Sequence, residues 1–100
     1  MDTLSKTGIA GKVLEEIKTI AEECNVEKVF LFGSRARGDY KDRSDIDIAF
    51  FGGDASKFSI RIDEETSTLL KFDIVDLQLP IQQELLQSIN NEGIVIYEKV

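Results

Sequence analysis

The chain predicts an α/β (α+β) domain in which a small mixed β-sheet is flanked by helices. Two observations lead there. Segments with apolar residues at helical spacing alternate with short runs of β-branched and aromatic residues, in the order α-β-(short α)-β-α-β-α-β. With 100 residues, one proline, no repeat and no Pro/Ser-rich linker, the sequence fits a single domain over 1–100 around one core.

Residues 1–7 are polar and read as a loose lead-in. From about Ile9 to Cys24, the residues Val13, Ile17, Ile20, Ala21 and Cys24 fall on one helical face, and Asn25 suits a left-handed stop. "KVFLFG" is apolar on both faces and therefore belongs in the middle of a sheet. Gly33-Ser34 breaks that strand and opens a short helical turn that ends at Gly38. "DIDIAFF" alternates, with Ile46, Ile48 and Phe50 on one side and Asp45, Asp47, Ala49 and Phe51 on the other. "GGD" at 52–54 is a turn, about Ser56 to Leu70 a helix, and "KFDIVDLQ" a third strand. Pro80 is expected at a first helical position, with Ile81, Leu85, Leu86 and Ile89 as the buried stripe of a helix ending near Gly93. "IVIYE" closes the chain as a short strand suited to a sheet edge.

Composition removes several classes of chemistry. A formal net charge of −7 opposes generic adhesion to nucleic acid or an anionic membrane, so no direct nucleic-acid binding is expected. A small anionic ligand is still compatible where arginines or cations reverse the sign inside one cleft, and a basic protein partner suits the surface. One cysteine and no histidine exclude an intramolecular disulfide, a zinc cluster and the Ser–His and Cys–His nucleophile pairs. Cys24 reads as a small hydrophobe on the apolar side of its helix. Any metal must be a hard cation held by oxygen, which means magnesium, manganese or calcium. No apolar stretch approaches a membrane span and no secretory signal core opens the chain, so a cytoplasmic protein is expected.

The residues that ask for a chemical explanation cluster in "VFLFGSRARGDYKDRSDIDIAF". At Ser34 a helix start exposes unpaired N–H groups and a partial positive charge, which together suit a phosphate. Gly33 allows close backbone approach and the serine hydroxyl adds a donor; taken alone, the pair serves as commonly for a turn and a cap. Arg35 and Arg37 are two apart and diverge on a helical turn, so one can face a phosphate while the other pairs with an acid or a partner. Asp45 and Asp47, two apart on a strand, project to one side with Cα atoms roughly 6.5–7 Å apart. That spacing suits one divalent ion or a pair of them, although an isolated D-x-D is also common at exposed strand ends. A phosphate-binding turn beside a strand carrying metal ligands is what a nucleoside triphosphate with magnesium needs.

"GSRARG", five further residues and "SDIDI" together resemble the signature of the DNA polymerase β-type nucleotidyltransferase superfamily, in particular its minimal, single-domain branch. The resemblance runs from the leading helix through "FDIVDL" to "GIVIYE". It implies the nucleotidyltransferase fold and transfer of a nucleoside monophosphate, AMP from ATP, to an acceptor hydroxyl with two Mg2+ ions, for which Mn2+ can substitute. By the same resemblance Gly33 and Ser34 embrace the triphosphate, with Arg35, Arg37 and Ser44 in the nucleotide-binding set. Asp45 and Asp47 become the acids that bind both metals. A third carboxylate, which helps bind the metal at the attacking hydroxyl and favours its deprotonation, comes from "FDIVDL", where Asp73 and Asp76 face opposite ways. Alternation cannot choose between them; the family pattern, with the acid after the strand's first apolar residue, selects Asp73.

Minimal members of that family pair with small all-helical proteins of the HEPN type, often as antitoxin beside toxin. The resemblance therefore implies a hetero-oligomer whose acceptor hydroxyl lies on the partner, for instance a tyrosine. The alternative is a non-catalytic module of the same fold that binds nucleotide or partner without turnover.

Overall fold

The structure is a computed structural model that describes residues 6–100. Eight elements follow in the expected order: α1 (Gly11–Glu23), β1 (Lys28–Phe32), α2 (Ser34–Arg37), β2 (Ile46–Phe51), α3 (Ala55–Glu65), β3 (Phe72–Asp76), α4 (Gln83–Glu92) and β4 (Ile94–Glu98). The strands form one mixed sheet ordered β3-β2-β1-β4. The doubly apolar β1 lies inside it, antiparallel to both β2 and β4, and β4 takes an edge. β2 and β3 run parallel, so α3 is the crossover that a parallel pair requires.

The sheet's two faces are unequal, and this asymmetry positions the site. Val29, Leu31, Ile46, Ile48 and Phe50 point to a large core formed with Val13, Leu14 and Ile17 of α1 and Phe58 and Ile62 of α3. There the Phe50 and Phe58 rings meet at 4.7 Å between centroids and 50° between planes, which fixes the crossover helix to its strand. The opposite face carries only a small cluster of Phe32, Ala49 and Ile89, flanked by Phe30, Val75, Leu77 and Leu85, under α4. Asp47 and Asp73 lie two residues before Ala49 and Val75, so strand alternation puts both acids on this thinly covered face.

Several boundaries differ from the sequence reading. Asn25 does take the left-handed conformation (φ 60°) and Cys24 is buried. The α3 helix stops at Glu65 rather than near Leu70. Glu16 of α1 captures the Ser67 amide and hydroxyl, both at 2.7 Å, and the Thr66 hydroxyl donates back to the Ile62 carbonyl. Pro80 is not the first helical residue. An Asx turn, with the Gln78 amide donating to Asp76 Oδ1, spends the chain up to Leu79, so Pro80 lies on an extended approach to Gln83. Within the expected stripe Ile89 is buried and Leu85 half-buried, but Leu86 faces solvent because α4 covers only a narrow patch. Of the polar lead-in, residues 1–5 lie outside the described residues, while Thr7 is buried.

Phe58→Ala is expected to destabilise the domain by about 3–5 kcal/mol, since it empties a fully buried site. Ile60→Thr, on the exposed side of the same helix, is expected to change stability by about 0.5 kcal/mol or less. Urea denaturation of the two variants measures both.

Candidate active site

β1 ends at Phe32, directly opposite Asp47 of β2. The next residue, Gly33, turns the chain with φ 76° and ψ −158°, a conformation that side-chain-bearing residues rarely adopt. A Cβ there would also run into Oδ2 of Asp47. Glycine is therefore required twice, by the turn and by the carboxylate against its Cα. Ser34 begins α2, whose first bonds are the Ala36 and Arg37 amides donating to the Gly33 carbonyl, both at 3.1 Å. The amides of Ser34 and Arg35 precede those bonds. Gly38, also left-handed at φ 92°, closes it.

The acids come together as follows. Parallel pairing of β2 with β3 sets Asp47 against Asp73 as register partners. Asp45, two residues earlier and just before β2, is exposed, whereas Asp47 is half-buried. The Asp47 carboxyl is pushed up from 3.8 to about 6, first by burial, then by the charges of Asp73 and Asp45, against an opposing pull from Arg37. Asp76 pairs instead with Phe50, whose side chain enters the large core, and binds the Gln78 amide. Of the two acids in "FDIVDL", Asp73 is thus the one whose charge reaches Asp47.

The two arginines of "GSRARG" diverge completely. Arg37 donates to Asp39 through Nε at 3.2 Å and to Glu92, at the end of α4, through Nη1 at 3.1 Å, on the side whose charge reaches Asp47. Arg35 turns inward. It is 2 % exposed and donates to three backbone carbonyls, Thr7 at 2.9 Å, Ser44 at 3.1 Å and Asp42 at 3.2 Å, with its guanidinium 4.7 Å from the Tyr40 ring centre. Its expected place among nucleotide-binding residues is therefore corrected: the guanidinium is consumed inside the protein and holds the 39–45 loop that delivers Asp45. Ser44 belongs to the same loop, its hydroxyl accepting from the Lys41 amide at 2.8 Å.

Sequence reasoning missed Thr7, Tyr40 and Glu92, the partners of these arginines. Tyr40 also lies where a Cβ on Gly8 would fall, so "TG" at 7–8 and "DY" at 39–40 form one packed unit. Nothing in their spacing announces a contact across 28 residues.

The charges of Asp73 and Asp45 both bear on Asp47, an arrangement that a hard divalent cation would relieve. Among the described residues no three acidic, cysteine or histidine side chains form a ready-made cage for an ion. No helix among the described residues is long and apolar enough to cross a membrane.

Residues 15–100 match the family described as "Polymerase beta, Nucleotidyltransferase". The chain belongs to the polymerase β-type nucleotidyltransferase family. A relative from Methanocaldococcus jannaschii, named "Putative protein adenylyltransferase MJ0604", is 37% identical over 81 residues, covering 72% of this chain and 79% of that protein. A toxin-antitoxin crystallised with AMP-PNP matches 86% of this nucleotidyltransferase and 73% of its own chain, with a TM-score of 0.63 at 23% identity. A mutant of the toxin-antitoxin MntA-HpeT gives 0.65 at 22% identity over 85% and 72% of the two chains. At those identities the likeness is one of fold. The family and the relative together make this a minimal nucleotidyltransferase domain with a nucleotidyltransferase's class of activity.

Two outcomes follow from the site. Raising the Asp47 carboxyl disfavours its charged form in the folded state, so metal-free protein is expected to lose stability as pH rises from 3.8 to about 6. Asp47→Asn removes that loss, so its melting temperature is expected to rise relative to the parent across the same window, and magnesium is expected to narrow the gap. Arg35→Ala is expected to cost about 2 kcal/mol or more by orphaning buried carbonyls, and Arg35→Lys to recover only part, because an ammonium lacks the planar fork. Thermal scans against pH and urea denaturation check these outcomes.

Proposed function

We propose that this nucleotidyltransferase moves AMP from ATP to a hydroxyl on a partner protein, in a metal-dependent reaction centred on Asp45, Asp47 and Asp73. The observation that carries the reading is the register pair Asp47–Asp73 beside Gly33-Ser34. It sets a carboxylate pair next to the turn that opens α2. The Ser34 hydroxyl and the first amides of α2 hold the β- and γ-phosphates, and Arg37, by exchanging one acidic partner, adds charge to the same phosphates. Asp45, Asp47 and Asp73 would hold the metal ions. Asp73, the register partner of Asp47, would also favour deprotonation of the attacking hydroxyl. Two Mg2+ ions, or Mn2+ in their place, supply charge neutralisation at the leaving group and acidify the attacking hydroxyl when bound. The acceptor oxygen bonds to the α-phosphorus as the bond to the β-phosphate oxygen breaks, and pyrophosphate leaves.

A protein acceptor is supported by the name of the Methanocaldococcus relative, and an oligomeric setting by the toxin-antitoxin fold neighbours. The partner that fits both, and the sequence signature, is a small all-helical protein of the HEPN type. ATP as donor is supported by the AMP-PNP in one of those neighbours.

The test is the double substitution Asp45→Asn with Asp47→Asn, assayed with α-labelled ATP, magnesium and the helical partner. Label transfer is expected to fall by at least about a hundredfold while the fold, followed by circular dichroism, is retained. Transfer that survives both substitutions would contradict the assignment. Nucleotide bound by the parent protein without any transfer would indicate a binding module instead.

A further inference from the structure

We infer that the cleft beside Asp45 is the acceptor subsite and that it takes an acidic peptide segment with an apolar side chain next to the reacting hydroxyl. This rests on the transfer reaction proposed above and adds the class of acceptor. Arg43, Asp45, Leu69, Leu70 and Lys71 line a cleft of about 600 Å³ at the open end of β2 and β3. Its two lips are tied together, because the Ile46 amide donates to the Lys71 carbonyl at 2.9 Å. The cleft is therefore continuous with the strand ends that carry Asp45 and Asp73.

Charge and exposure identify the occupant. Of the chain's arginines, Arg35 is spent on buried carbonyls, and Arg37 and Arg61 are held by carboxylates at 3.1 Å and 2.7 Å. Arg43 makes no ion pair or hydrogen bond through its side chain among the described residues, and neither does Lys71. Two free cations thus face one cleft, against the single acid Asp45 on its lining, in a chain whose net charge is −7. Leu69 on the same lining is fully exposed, and Leu70 is half-buried against the core. Two free cations beside exposed leucine surface complement an acidic segment that also buries a hydrophobic side chain. A polynucleotide would need a row of phosphate contacts that two cations do not provide. The name of the Methanocaldococcus relative also favours a protein acceptor.

The experiment measures binding apart from transfer. The probe is a dye-labelled peptide in which a hydroxyl residue is flanked by leucines and acidic residues, titrated by anisotropy with the full chain. Its controls are the same peptide with lysines for the acids and a single-stranded oligonucleotide. The acidic peptide is expected to bind tightest, Arg43→Ala with Lys71→Ala to weaken it at least about tenfold with Mg2+-ATP affinity unchanged, and Arg43→Lys with Lys71→Arg to restore it. No peptide binding, equal binding of the lysine peptide, or an unaffected alanine variant would overturn the inference. So would preference for the oligonucleotide, or loss of ATP affinity instead. Peptide binding with this dependence but no label transfer by the parent protein would sink the transfer reaction and leave the acidic-peptide cleft standing.

Discussion

The structure hinges on a pairing that unassisted electrostatics opposes: parallel alignment of β2 and β3 sets Asp47 beside Asp73, with Asp45 nearby. Burial of Phe50, Phe58, Ile48 and Ile62 on the far face holds that register firmly. A one-residue slip would turn the whole apolar set of β2 toward solvent. The large core thus imposes on the small face a charge arrangement that the small face would not choose. Thin cover by α4 leaves this end of the sheet open to a ligand and to ions.

Around that constraint the neighbouring residues divide the labour. Gly33 lets the turn approach the Asp47 carboxylate without a Cβ between them. Arg37 offers a partial electrostatic counterweight while tied to Asp39 and to the end of α4. Arg35 is the mechanical element. Its fork gathers carbonyls from the lead-in and from both sides of the 39–45 loop, so the loop that brings Asp45 into place is fastened at its base. An inward arginine with its donors met by carbonyls and its face on Tyr40 is an economical way to order a loop that has little apolar content.

Much of this was legible in the sequence, for physical reasons. Element order followed from hydrophobic period, and the placement of β1 inside the sheet followed from "KVFLFG" being apolar on both faces. Gly33-Ser34 and the alternating "DIDIAFF" pointed to the candidate site because turn chemistry and strand alternation are local rules. What escaped was non-local. That Arg35 rather than Arg37 turns inward depends on Thr7 and Tyr40, which no spacing links to it. The end of α3 depends on Glu16, from a different helix. The choice between Asp73 and Asp76 depends on which residue of β2 each one meets, a property of register between strands that sequence alternation alone leaves open.

The most direct test of the central claim is the carboxyl titration of Asp47, followed by carbon-detected NMR in the parent protein and in Asp73→Asn. The account expects a midpoint near 6 in the parent, moving toward the ordinary aspartate value in the variant, and moving down in the parent when magnesium and nucleotide are added. An identical titration in both proteins, with no response to magnesium, would show that the two acids are not coupled and would contradict the site built on them.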